Sequence, residues 1–348
     1  MRRPTRLGLL FAIVLLALVG VYSAYWFVAA GRIKDGIGEW AQSLRPQALD
    51  LSWRAIRVGG FPLAFRIELS EARLRDGSNS PGGEIHVPLL SGSARPWNLF
   101  VWRLAAPDGL SAIAGPADGA VAKFGVRAVE GSVAVAGDGG ATLWLGLSEP
   151  SADMQVRLAA REAGLWLIVP SYQPQTHTER GVAVALDIRG LTLPAVPAPL
   201  RNPVDEIALG ATVMGAIPAG PPRQTFTIRS AATAWRDSGG TLELDHFAVR
   251  WGGLAISGSG TAALDPDLQP IGAVSGAIEG YDELMTALVA AGQMRAGDAR
   301  IARVALGMLA NKRGPDGRPA IATSFTIQNG EMYLGPVKLG KAPRITWE

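Results

Sequence analysis

From Leu49 onward the chain repeatedly places apolar residues at every second position, and a period of two belongs to extended strands rather than helices. In the stretch 61–70 the positions Phe61, Leu63, Phe65, Ile67 and Leu69 are apolar, alternating with Pro62, Ala64, Arg66, Glu68 and Ser70. Shorter forms recur in Val182, Val184, Leu186 and Ile188, in Phe226 and Ile228, in Leu242 and Leu244, and in Phe325 and Ile327. Such runs follow one another about every ten residues, separated by Gly, Pro and the hairpin pairs Asp76-Gly77, Asp108-Gly109 and Asp316-Gly317. The expected fold class is mainly β: a long curved antiparallel sheet, either an open groove or sandwich-like, rather than alternating α/β units. About 16 strands at about 4.8 Å spacing would extend roughly 75 Å if the sheet never folded back.

Two later stretches switch to helical spacing. Tyr281, Leu284, Met285, Leu288 and Val289 fall on one face with Asp282 and Glu283 in the first turn, which predicts a helix over 281–294. After Gly297, Asp298 is placed to cap a second helix with the stripe Ile301, Val304, Ala305, Met308 and Leu309, closed by Lys312, Arg313 and Gly314. The result is a C-terminal helical hairpin over 281–313 that packs on the sheet or closes over an apolar groove.

The N-terminal region obeys a different rule. No charge occurs between Arg6 and Arg32, and the 24 residues from Leu7 to Ala30 would form a helix about 36 Å long, enough to cross a hydrocarbon core of about 30 Å. Tyr22, Tyr25 and Trp26 sit at its far end, where amphipathic rings favour the interface. A cleaved signal peptide is the competing reading, but its apolar core is ordinarily about 7–15 residues, shorter than this run. Ile33, Ile37, Trp40 and Leu44 then continue on one helical face. The expected organisation is a tail and transmembrane anchor over 1–31, an amphipathic linker helix over 32–46, and a β domain in parts 47–200 and 201–348. Pro and Gly crowd 194–222, where either a boundary or one uninterrupted sheet is expected.

Composition narrows the chemistry. With no Cys among 348 residues, disulfides, zinc–thiolate sites and thiol catalysis are excluded. A net charge of +3, from 33 basic against 30 acidic residues, gives no basis for nucleic-acid binding. His86, His177 and His246 stand apart from one another, so no metal-ligating motif is present, and no cofactor is expected. Asp245 and His246 are neighbours on a strand and should face opposite ways. Gly335 to Lys341 has the opening spacing of a phosphate loop, but Ala342-Pro343 follows, so it reads as two strand ends and a glycine turn. Trp97, Trp102, Trp144, Trp166, Trp235 and Trp251 serve either as core or as a ligand surface.

Three stretches carry a family likeness: Trp53 to Phe65 (WRAIRVGGFPLAF), Leu242 to Pro270, and Phe325 to Gly340 (FTIQNGEMYLGPVKLG). Together they resemble an uncharacterised bacterial family, domain of unknown function twenty-one twenty-five, and more distantly the AsmA-like envelope proteins. That resemblance implies a single-pass protein of the inner (cytoplasmic) membrane with a periplasmic β structure, the AsmA-like likeness implies a β-groove that shelters or conducts lipid, and neither brings catalytic residues. Groove-lining candidates on this reading are Trp53, Phe61, Phe65, Trp251, Leu284, Leu288, Val304 and Met308. Gly59, Gly60, Pro62, Gly330, Gly335 and Pro336 are turn-forming: Gly59-Gly60 permits a bulge, Pro62 cannot donate to a ladder, and Phe61 would begin the next strand. The expected partners are membrane lipid and either envelope proteins or a second copy of the chain; a scaffolding protein that works through protein contacts is the alternative function.

Overall fold

The computed structural model describes residues 6–76, 83–115, 122–154, 156–196, 200–216, 228–292, 294–310, 312–313, 319–335 and 337–347. Its compact units are Met1–Ala134 and Val135–Glu348. The fold is mainly β, with every described strand pairing antiparallel.

The first unit opens with α1 (Arg6–Leu44), a single 39-residue helix that joins the apolar run and the amphipathic segment without a break. Phe11, Leu16, Val21 and most of its other large apolar side chains are exposed. Pro46 stops it in a short 3-10 turn, after which Ala48 takes a left-handed φ of 61°. The strands follow as β1 (Leu49–Ser52), β2 (Ala55–Gly59), β3 (Phe65–Asp76), β4 (Gly83–Arg95), β5 (Asn98–Ala106), β6 (Leu110–Ala114), β7 (Ala122–Val126) and β8 (Ala128–Val135). β1 and β2 lie end to end along β3, β5 and β6 end to end along β4, and β7 and β8 against that row in turn. Sequence neighbours are thus spatial neighbours, a meander.

Asp108-Gly109 is therefore not a hairpin. It joins β5 to β6 within one row, and Gly109 is required there because at φ 74° its Cβ would lie 2.1 Å from the Val126 carbonyl oxygen. The strand expected from Phe61 begins instead at Phe65, leaving Gly60 to Ala64 as the connection by which β2 reverses into β3. Gly77 and Gly317 lie outside the described residues.

The second unit contains β9 (Ala141–Ser148), β10 (Ser151–Asp153), β11 (Arg157–Ala159), β12 (Glu162–Val169), β13 (Arg180–Leu191), β14 (Val204–Met214), α2 (Ile228–Asp237), β15 (Thr241–Trp251), β16 (Leu254–Leu264) and β17 (Pro270–Glu279). The helices α3 (Tyr281–Ala290) and α4 (Ala296–Leu309) follow, then β18 (Lys312–Arg313), β19 (Pro319–Gln328), β20 (Glu331–Leu334) and β21 (Val337–Lys341). Pairing runs β9, β12, β13, β14, β15, β16, β17, β19, β20, β21, again a meander, and β13 pairs β14 directly across the Pro-rich 194–199 segment. Asn329 (φ 53°) and Gly330 (φ 70°) make the left-handed two-residue turn between β19 and β20.

The helices depart from expectation in detail. Ile228, expected in a strand, starts α2: two apolar residues at spacing two are a weak signal beside the helix-compatible Ala231-Ala232-Thr233-Ala234. Phe226 is outside the described residues. The hairpin exists, but α3 stops at Ala290, and Arg295 rather than Asp298 occupies the α4 N-cap, Asp298 falling in its first turn. Lys312 and Arg313 pair with β19 instead of closing the helix, because strand addition satisfies their backbone.

Candidate functional site

In an antiparallel sheet, directly opposed residues point to the same side, so register sorts the second unit into two faces. One transverse line reads Ile188, Ile207, Val249, Ile256, Ile278, Ile321. The next line on that face reads Leu145, Leu165, Leu186, Leu209, Phe247, Gly258, Gly276, Thr323, and the following one Leu143, Leu167, Val184, Ala211, Leu244, Gly260, Val274, Phe325. Apart from Thr323, no polar side chain interrupts them. The opposite face carries Glu162, Arg189, Glu206 and Arg250 in one line, Asp187 in another, and Glu243, Thr261 and Thr326 in a third.

This apolar face is half-open. No residue of Ala255–Leu264, of Pro270–Ile278 or of β12 is buried, as the alternate residues of a two-layer sandwich would be. Leu209 remains 37% exposed. Four glycines on this face mark a sharp local fold between β16 and β17: a Cβ would lie 2.6 Å from the Ser275 oxygen at Gly258, 2.2 Å from the Ala273 oxygen at Gly260, 2.4 Å from the Thr261 oxygen at Gly272 and 2.4 Å from the Ser257 oxygen at Gly276. Only a pair of strands folded sharply toward the apolar side brings a carbonyl so close to the Cβ direction, and only glycine permits it.

Helices close parts of this surface. At α3, Leu284 and the buried Ala287 pack with Leu254, Ile256, Ile278 and Trp251. Glu283 accepts from the Gly253 N–H at 2.9 Å, and the Trp251 indole donates to the Arg201 carbonyl. On α2, the Trp235 indole donates to the Met214 carbonyl at 2.8 Å, with its ring where a Gly240 Cβ would be.

The first unit repeats the two-faced design with a crease. Apolar residues continue along each row but step by more than two at one point: Trp53 to Ile56, Leu69 to Ala72, Val87 to Leu90, Ala106 to Leu110 and Val126 to Val129. The steps are side by side in the register, marked by Glu71 at φ 53°, Pro88 and Gly109. The alternation is thus interrupted at one level across several neighbouring strands, where Glu71 leaves the strand conformation. One end of that side is sealed by α1. Phe65 is fully buried and stacks on Trp26 with ring centroids 5.1 Å apart, flanked by Ala30, Ile33, Val58 and Trp102.

The predicted lining residues consequently fall into separate places. Trp251, Leu284 and the half-buried Leu288 belong to α3 or the sheet beneath it. Phe61 and Phe65 meet α1, where Phe61 stacks on Phe27 at 5.6 Å, and Trp53 stands at the crease. Val304 is exposed on α4, the Met308 side chain is outside the described set, and so is Pro336. Gly60 has φ 96° and would place a Cβ 2.6 Å from the Ala64 oxygen, whereas Gly59 has open space. Gly335 turns β20 into β21 at φ 56°. Missed were the aliphatic lines themselves, above all Leu165, Leu186, Leu209 and Phe247, whose signal was the period-two pattern read strand by strand rather than across strands.

Polar groups are engaged in ordinary pairings. His86 Nε2 and Glu71 are 2.9 Å apart; that hydrogen bond, with Arg73 nearby, holds the Glu71 carboxyl below its usual 4.5. Asp245, the extra residue of a bulge in β15, accepts from Arg180 and Thr212, while the His246 ring packs over Gly210. Lys338 and Tyr333 both donate to Glu331, lowering the carboxyl and raising both donors. Among the described residues, no three His, Asp or Glu side chains gather as a metal would need.

A sequence model of the bacterial family described as "uncharacterized protein conserved in bacteria" (DUF2125) matches residues 26–343. No curated protein and no solved structure matches the chain.

Proposed function

The chain belongs to this uncharacterized bacterial family (DUF2125), and from that premise we propose that it is a non-enzymatic, membrane-anchored envelope protein whose apolar β face holds lipid or a similar hydrophobic ligand. The observation that carries the reading is the set of apolar lines on one face of the second unit, with Thr323 as their one polar side chain, half-exposed and unlayered between its helices. A monomeric soluble protein rarely leaves a contiguous apolar patch of more than a few hundred Å² open without an occupant. Acyl chains suit it because they ask for apolar contact, about 0.8 kcal/mol per methylene, and no fixed polar partner. α1 supplies the source of such molecules, since it is long and apolar enough to cross a bilayer. The placement we propose is the inner membrane, with the β units in the periplasm. Cysteine-free composition is compatible with that oxidising compartment.

Mass spectrometry of lipids retained by detergent-extracted full-length protein tests the proposal. Stoichiometric phospholipid supports it, whereas protein free of lipid, with the same aliphatic residues protected, refutes it. A scaffolding role has its own observation: Ile301 and Val304 stand exposed along α4. It predicts stable protein complexes lost in Ile301→Ser/Val304→Ser and no bound lipid.

A further inference from the structure

The end of the first unit that touches α1 is unusually apolar for a surface. Leu63 is 68% exposed in the β2–β3 connection, Trp97 is 64% exposed in the β4–β5 turn and Phe100 60% exposed at the start of β5. Both turns are tied to α1: Tyr22 donates to the Pro62 carbonyl, Tyr25 to Pro96 at 2.9 Å, and the Trp26 indole to Ala64 at 3.2 Å. These bonds set a depth. About 20 helical residues cross a hydrocarbon core, so a span counted from Leu7 reaches its far boundary near Phe27. Tyr22 and Tyr25 lie within about 8 Å of that boundary along the helix, so the carbonyls bonded to them, with Leu63, Trp97 and Phe100, stand close to it.

Cations accompany the apolar tips. Arg66 and Arg103 flank Ser93 on the polar face, about 10 Å apart at two strand spacings, and Arg95 lies beyond them toward the turn. A cleft of about 430 Å³ between the turns is lined by Leu63, Ser93, Arg95, Asn98, Val101 and Arg103. Glu68, the acid next along this face, stands opposite Arg57 instead, and no described carboxylate pairs with Arg66, Arg95 or Arg103. Arg95 lies 6.0 Å from the centre of the Trp97 ring.

Resting on the reading of α1 as a membrane span, but not on lipid occupying the β face, we propose that these two turns are seated in the bilayer interface and that Arg66, Arg95 and Arg103 bind phosphates of acidic phospholipid headgroups. Apolar side chains on rigid turns enter the boundary region, and guanidinium groups just above them meet the headgroup layer, where each basic residue gains from anionic lipid. The sheet is thereby held at a fixed height and angle over one leaflet by contacts beyond the helix.

The absence of cysteine makes the test direct. Leu63→Cys and Trp97→Cys, with Ile113→Cys at the far end of the β5–β6 row as reference, are labelled with an environment-sensitive fluorophore in the full chain and placed in phospholipid nanodiscs. Shallow spin-labelled lipids are expected to quench positions 63 and 97 but not 113. Spin-labelled phosphatidylglycerol should quench more than phosphatidylcholine, a preference that falls about fivefold for each of Arg95→Gln and Arg103→Gln. Quenching at 63 and 97 no greater than at 113, in protein that has entered nanodiscs, overturns the seating while leaving the anchor intact. Equal quenching by both lipids overturns the headgroup contact. Protein that fails to enter nanodiscs overturns the span and this proposal together, whereas retained lipid without tip quenching separates it from the β-face reading.

Discussion

Replacing Leu209 by Asp should empty the apolar face without unfolding the protein. Leu209 lies mid-sheet between Leu186 and Phe247, 37% exposed and covered by no second layer. The cost to the fold should be well below the about 2–5 kcal/mol of truncating a buried leucine, since the new carboxylate keeps access to water. An acyl chain crossing at this point would lose contact with on the order of three methylenes at about 0.8 kcal/mol each. That sum of about 2.4 kcal/mol corresponds to roughly fiftyfold weaker retention. The assay is native mass spectrometry of protein extracted in mild detergent, with thermal unfolding measured on the same samples. Ala248→Asp, on the polar face between Ala208 and Ser257, should retain lipid as the parent does. A folded Leu209→Asp protein that keeps its lipid, or equal loss from both variants, would refute the reasoning.

Phe65→Ala should lower stability by about 3–5 kcal/mol because Phe65 is fully buried against Trp26, and a thermal midpoint barely moved from the parent's would contradict that packing. In the Gly59-Gly60 pair, Gly60→Ala should destabilise by about 1–3 kcal/mol through its positive φ and the nearby Ala64 oxygen. Gly59→Ala should stay within about 0.5 kcal/mol, and chemical denaturation of both variants tells them apart. For Glu71, whose carboxyl is depressed chiefly by the hydrogen bond from His86, stabilisation is present above about pH 4.5 and lost as pH falls through the lower folded value. The destabilisation caused by Glu71→Gln should therefore shrink from pH 6 toward pH 3, as read by amide exchange in β3 and β4; a difference constant with pH would contradict it.

The antiparallel β class and the N-terminal helix were legible because each depends on a local period, two for strands and an unbroken apolar run for α1. The helical hairpin was legible for the same reason, its stripe being set by the residues of α3 and α4 themselves. The faces were not, since Leu186, Leu209 and Phe247 are far apart in sequence and become one line only through register. The crease was hidden too: a step from Leu69 to Ala72 looks like a lapse in one strand until Val87, Ala106 and Val126 repeat it alongside. Phe61 deceived for a physical reason, as its place in the alternation was real while Gly60 and Pro62 turned the chain before a ladder could form.

The central claim, an apolar β face occupied by lipid, is tested most directly by a photo-crosslinking amino acid placed in turn at Ile207, Ala208, Leu209 and Gly210 of the full chain in living bacteria. The account predicts lipid adducts at 207 and 209 and none at 208 and 210, a period of two along β14. Adducts absent from all four positions, or formed equally at adjacent ones, would contradict it.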